Sequence, residues 1–252
     1  MRNQSASAAL LTVMIAIGAA AGSSAEPVDF SSGDQQVTLI ELYTSEGCSS
    51  CPPADRWLSE LKADPDLWKA FTPIGFHVDY WDYIGWKDRF ASADYGDRQR
   101  QYAAEGGADV VYTPGIFNDG REWRDWRNGG KFESGRTRVG VLSVRVNGDI
   151  VSVHFAPDGT TDSDLVAHVA ILGMNLETQV RAGENRGRKL RHDFVALGVT
   201  SMPLRETTDG LEATTTLPEA SMHANEKALV AWVSASRLQR PLQSVGGYLA
   251  EN

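Results

Sequence analysis

The sequence predicts an α/β domain followed by an all-β, sandwich-like domain. Three observations carry that expectation. Up to about residue 135, β-forming runs alternate with helical patterns. Beyond it, short β-rich runs follow one another, separated by clusters of Gly, Asn, Asp and Pro. The chain has 252 residues, 42% hydrophobic and 23% charged, a globular composition long enough for one large domain or two ordinary ones.

Taken in order, the chain divides into three predicted parts: residues 1–25, 26–135 and 136–252. The first has Arg2 ahead of an apolar run, Ala8 to Ala21, and small residues at Ser23, Ser24 and Ala25. This is the pattern of a secretory signal peptide cut before Glu26, which predicts a periplasmic or secreted protein. The apolar run is too short for a comfortable membrane span, so stable membrane insertion is not expected. Residues 26–36 are polar and predict a loose lead-in.

Val37 to Thr44 is rich in β-formers and predicts a buried strand. Pro52 and Pro53 open a helix, because proline is tolerated where the missing N–H would have no partner. Thr72 to Tyr80 predicts a second strand, and Asp94 to Glu105 a second helix. Val110 to Tyr112 predicts a short strand running into Thr113-Pro114. Gly115 to Asn118 continues extended, and Asn118-Asp119-Gly120 makes a turn. Residues 121–135, rich in Arg, Trp and Gly, give no assignment.

The third part opens on a strong hairpin signal. Val139 to Val146 and Ile150 to Phe155 flank Asn147-Gly148-Asp149, and Asn-Gly suits a turn whose twist matches that of the strands. Further strands are predicted at 165–172, 177–182, 190–197, 211–217 and 229–234.

The two cysteines, Cys48 and Cys51, carry the chemistry. A disulfide between them closes a loop so small that the chain-entropy model credits it with only about 2 kcal/mol. A structural staple is therefore a poor reason for the pair. Placement between a strand and a helix start is a better one. Unpaired N–H groups and the helix dipole there favour a thiolate, the attacking form. The spacing points to a redox pair in which Cys48 exchanges and the more buried Cys51 resolves. The rival readings are soft-ligand capture of copper(I) by the two sulfurs, and a non-catalytic binding module.

The strand, Cys48-Ser49-Ser50-Cys51 and helix resemble the start of a thioredoxin fold. Thr113-Pro114 resembles the cis-proline loop that faces the cysteines in that fold and keeps metal out. More specifically, four blocks resemble a secreted bacterial family catalogued as domain of unknown function 1223. They are ELYTSEGCSSCPPAD (41–55), FHVDYWDYIGWKDRF (76–90), VYTPG (111–115) and AGENRGRKLRHDF (182–194). The resemblance implies a thioredoxin-like fold for 26–135, export, and no established substrate.

The resulting expectation is an exported thiol–disulfide oxidoreductase acting on protein thiols or disulfides. Cys48, Cys51 and Pro114 form its reactive site, Thr113, Trp81 and Trp86 contact substrate, and no metal or cofactor is called for. The formal charge of −9 argues against a nucleic-acid partner.

Several departures from thioredoxin bear on mechanism. The buried acid that many thioredoxins carry six residues before the first cysteine is Leu42 here, and neighbouring Glu41 points to the other strand face. Glu46 beside Cys48 opposes a thiolate. His77 and Asp79 alternate on one strand face, followed by Asp82, a set able to bind metal or move protons but more simply explained by packing. Trp123 and Trp126, interleaved with arginines, suit an interface between the two domains. His154, His168, His192 and His223 have no metal spacing.

Overall fold

The structure is a computed structural model that describes residues 26–130, 132, 135, 137–160 and 164–249. The predicted signal peptide, residues 1–25, lies outside the described residues, as does position 136. The chain runs β1 (Val28–Ser31), β2 (Thr38–Thr44), α1 (Pro52–Glu60), β3 (Phe71–His77) and α2 (Ala93–Ala104), with a 3-10 turn at Asp79–Ile84 between β3 and α2. Then come β4 (Gly115–Asn118), β5 (Arg121–Glu122), β6 (Gly140–Asn147), β7 (Ile150–Pro157), β8 (Leu165–Gly173), β9 (Leu176–Gln179) and β10 (Lys189–His192). β11 (Val195–Pro203), β12 (Arg205–Glu206), β13 (Leu211–Thr216), β14 (Lys227–Ala235) and β15 (Pro241–Tyr248) complete it.

These strands form an eight-stranded sheet in the order β15-β14-β8-β11-β3-β2-β4-β5 and a five-stranded sheet β1-β6-β7-β13-β12. β9 and β10 make a small ribbon of their own. β2 pairs in parallel with β3, and β3 with β11 through Val195 and Gly75. The large sheet thus takes strands from both sides of residue 136.

The fold is therefore mostly β, 44% strand against 16% helix, and corrects the expected α/β thioredoxin-like domain with a separate β-sandwich domain after it. The physical reason is pairing at a distance. Alternating hydrophobicity tells that a strand buries one face, but not which strand lies beside it. Here β3 and β11, more than 100 residues apart, are neighbours.

Two main cores follow from the sheets. β6 and β7 alternate buried and exposed residues, and Leu142, Val144, Val153 and Phe155 pack on Val169, Leu229 and Ala231 of the large sheet. Around β2, β3 and β4 lies the second core, with Tyr43, Phe76, Phe117 and Tyr102 in aromatic contact. β2 and β3 have every residue buried, as strands covered on both faces must. Gly140 opens β6 at φ +106°, and a Cβ there would lie 2.2 Å from the Ala156 carbonyl oxygen. Only glycine permits that approach.

Smaller differences from the sequence expectations have local causes. The stretch 190–197 breaks into β10 and β11 because Phe194 takes a positive φ of 58°. Val110 to Tyr112 is irregular rather than a strand. β1, expected as a loose lead-in, adds to β6 as an edge strand. Trp123 and Trp126 pack on Trp57 of α1, with ring centroids 5.5 and 6.3 Å away.

Candidate functional site

β2 ends at Thr44 and delivers the chain into a tight double turn. The Cys48 N–H donates to the Ser45 carbonyl at 3.1 Å and the Cys51 N–H to the Cys48 carbonyl at 3.2 Å. Cys51 is then the N-cap of α1, its carbonyl accepting from the N–H groups of Ala54 and Asp55 at 2.8 and 3.1 Å. Pro52 and Pro53 occupy the first helical positions, as expected. Cys48 and Cys51 form a disulfide, with Cα atoms 5.4 Å apart. Neither sulfur is a free thiolate ligand in this state.

Both cysteines are buried, Cys48 to 1% exposure and Cys51 to 0%, while Ser49 and Ser50 are exposed. This departs from the expected asymmetry. The 3-10 turn Asp79–Ile84 packs on this loop at Gly47, where a Cβ would meet Ile84 Cδ1 at 3.2 Å and Trp81 Cβ at 3.4 Å. Trp81 therefore lies beside the cysteine loop, stacked with Tyr83, which is 82% exposed. Trp86 turns inward instead and donates its indole N–H to Glu46 Oε2 at 2.8 Å.

Thr113-Pro114 is a cis peptide bond, and both residues are buried. β4 pairs antiparallel with β2, Gly115 opposite Tyr43. That register brings Pro114 to the end of the sheet from which the cysteine loop leaves. The Thr113 hydroxyl has no hydrogen-bond partner.

The loop is held from the second half of the chain. Asn185, fully buried, donates through Nδ2 to the carbonyls of Glu46 at 2.9 Å and Cys48 at 2.8 Å. Glu184 Oε2 accepts from the Ser49 N–H at 2.9 Å, and the Ser49 hydroxyl, with this N–H second, holds the Glu184 carboxyl below its ordinary range. Asn185→Ala leaves two carbonyls of the cysteine loop without these donors. We expect a loss of about 1–3 kcal/mol in unfolding free energy, measured by urea denaturation of the oxidised protein. An unchanged midpoint would show that the loop does not depend on this clamp.

Behind the disulfide lies a cluster that sequence spacing did not reveal. Glu46 at the loop start, Asp55 on α1, His77 at the end of β3 and His192 at the end of β10 are all buried. His192 Nε2 is 3.5 Å from Glu46 Oε1, and its Nδ1 is 3.8 Å from Asp55 Oδ2. His77 Nδ1 is 2.7 Å from Asp88 Oδ2, which also accepts from the Glu46 N–H at 2.8 Å. The two imidazoles meet edge to face, 4.8 Å between centroids.

Burial opposes charge on His192, but the Asp55 and Glu46 carboxylates outweigh it and raise its pKa to about 10. Burial likewise pushes the Asp88 carboxyl up, and the His77 ring more than reverses this, leaving it lowered. His77 thus pairs with Asp88 rather than with Asp79 or Asp82. Glu41 is engaged elsewhere, with Arg98 and Tyr102 of α2. The available signal was the 182–194 block, which supplies Glu184, Asn185 and His192, although histidine spacing alone could not single out His192.

Fold and site together define a mostly β protein with a buried Cys-x-x-Cys disulfide at a strand–helix junction. The chain belongs to the family described as "Protein of unknown function (DUF1223)", whose family model matches residues 39–234. No curated protein matches it. Its fold is similar to the crystal structure of an Agrobacterium tumefaciens protein solved by structural genomics, with 25% identity and a TM-score of 0.59. That match covers 86% of this chain and 96% of that one. It is also similar to HBP35 of Porphyromonas gingivalis, at 13% identity and a TM-score of 0.55, over 86% of this chain and 76% of that one.

Proposed function

We propose that the protein is an exported thiol–disulfide oxidoreductase that exchanges with protein thiols or disulfides through Cys48 and Cys51. The disulfide at the N-terminus of α1 carries this reading. A thiolate of the partner attacks Cys48 Sγ, the Cys48–Cys51 bond breaks, and Cys51 leaves as a thiolate favoured by the helix terminus. A second partner thiolate then attacks the partner's own sulfur in the mixed disulfide and releases Cys48. The partner loses two electrons and two protons, and the cysteine pair takes them up. The same steps in reverse reduce a partner disulfide.

The signal-peptide pattern of residues 1–25 supports the reading, because a disulfide persists in the oxidising compartment to which such a leader would direct the chain. The net charge of −9 argues against a nucleic-acid partner. Among the described residues, no helix is long and apolar enough to cross a membrane. Because Cys48 is buried, a partner has to open the loop to reach its sulfur. A partner approaches over exposed Ser49 and Ser50, beside Trp81 and Tyr83.

The test is exchange of the purified protein against a small dithiol and against a reduced unfolded protein. Cys51→Ser should accumulate a mixed disulfide on Cys48, seen by mass spectrometry, whereas Cys48→Ser should accumulate far less. A disulfide inert to millimolar dithiol in the folded protein, or an ordinary Cys48 thiol pKa of about 8.5 without exchange, would exclude the proposal.

A further inference from the structure

We infer that the buried cluster behind the disulfide is a binding site for a divalent transition-metal ion of the zinc class, with Asp55, His77 and His192 as its protein ligands. One donor atom from each of the three lies within 4.8 Å of the others, and all three residues are buried. The donors of a tetrahedral ion at about 2.1 Å stand about 3.4 Å apart. His192 Nδ1 and Asp55 Oδ2 are 3.8 Å apart, so little contraction is needed on that edge. Two imidazoles and one carboxylate are a donor set that zinc and its neighbours favour over magnesium or calcium.

The polar accounting points the same way. Both ring nitrogens of His192, Asp55 Oδ2 and Glu46 Oε1 are buried without a hydrogen-bond partner. Buried polar atoms are otherwise nearly always paired, so four in one cluster call for an occupant. The backing groups also match metal chemistry. His77 gives Nδ1 to Asp88 at 2.7 Å, which leaves Nε2 for the ion. His192, if ligating through Nδ1, turns Nε2 towards Glu46 at 3.5 Å. Each histidine thus has a carboxylate on the nitrogen away from the centre, the arrangement that fixes tautomer and ring orientation at metal sites.

This site is distinct from the cysteine chemistry. It needs neither sulfur, so the experiment uses the disulfide-oxidised protein, in which thiols cannot bind metal. The protein is stripped with chelator, titrated with zinc or cobalt, and its bound metal measured after dialysis. One equivalent is expected, and the cobalt form should show the visible bands of a four- or five-coordinate ion. Asp88→Asn should weaken zinc affinity about 10- to 100-fold, and His192→Ala should weaken it further.

A variant that fails to fold is replaced by imidazole nitrogen resonances of the unmodified protein. Zinc should shift one nitrogen of His77 and one of His192. Less than a tenth of an equivalent of bound metal, or histidine resonances unmoved by zinc, overturns the inference. In that case His192 is an imidazolium held between Glu46 and Asp55. Because no arm depends on thiol exchange, loss of the redox reading leaves this result standing.

Discussion

Glu41→Ala is expected to destabilise the protein by about 3–5 kcal/mol, the cost of breaking a buried ion pair from one side. Glu41 is wholly buried in β2. Its carboxylate accepts from Arg98 Nε at 2.7 Å, from the Tyr102 hydroxyl at 2.5 Å and from the Tyr43 hydroxyl at 3.2 Å. Arg98 also donates to Tyr102 and to Gln239, and its guanidinium lies 4.9 Å from the centre of the Trp232 ring. Removing the carboxylate leaves that guanidinium without its countercharge and the buried Tyr43 hydroxyl without an acceptor, while the Tyr102 hydroxyl keeps the Gln239 carbonyl at 3.1 Å. The double variant Glu41→Leu with Arg98→Met should recover most of the loss, because no charge is then stranded. Urea unfolding of the two variants beside the unmodified protein checks this, and a loss below about 1 kcal/mol for Glu41→Ala would refute it. Exchange at the cysteines should be unaltered in the folded variant, since Glu41 is bonded to α2 and not to the cysteine helix.

That last expectation separates two acids which the sequence places close together. Glu41 and Glu46 are five residues apart, yet one serves the α2 core and the other faces the disulfide cluster. Strand alternation was enough to read Glu41 as turned away from the cysteine pair. It was not enough to find Asp88 or His192. Asp88 reaches His77 because the chain turns back after the Asp79–Ile84 segment. His192 reaches the cluster because Phe194 breaks the strand and sends β10 to pair with β9.

Several local signals were legible. The Asn147-Gly148 hairpin, the proline-opened α1 and the β2 strand all appear as expected. The missing information is long-range. That β3 lies between β2 and β11 is decided by which buried faces meet. The same pairing puts strands from both sides of residue 136 into one eight-stranded sheet.

Acid should weaken the fold through His168, and the effect starts well above the carboxylate range. His168 sits on β8, stacked on Trp232 with centroids 4.9 Å apart. Its two nitrogens meet the hydroxyls of Ser201 at 2.7 Å and Ser234 at 3.0 Å. A neutral imidazole needs one donor and one acceptor, and two hydroxyls supply both. Burial, reinforced by the nearby Arg98 charge, lowers its pKa from 6.5 to about 3. The unfolded chain therefore takes up a proton below about pH 6.5 that the folded chain refuses, so stability falls as pH falls.

From pH 7 to pH 5 this group alone should remove about 2 kcal/mol. Nearby Glu41 is tied to Arg98, and Arg89 and Asp94 line the same cleft. Most carboxylates stay ionised down to pH 5, but burial raises Asp119 to about 6, so the comparison needs a variant that removes only His168. His192 acts in the opposite sense in the metal-free protein, where its carboxylate neighbours raise its pKa. The difference between the unmodified protein and His168→Gln cancels that contribution. The difference should shrink by about 1.4 kcal/mol per pH unit below pH 6, since only the unmodified protein carries this sensitivity. Urea midpoints measured at half-unit steps give the two curves. Parallel curves would mean that the folded protein accommodates a charged His168 against its burial and the nearby Arg98 charge, and would refute the prediction.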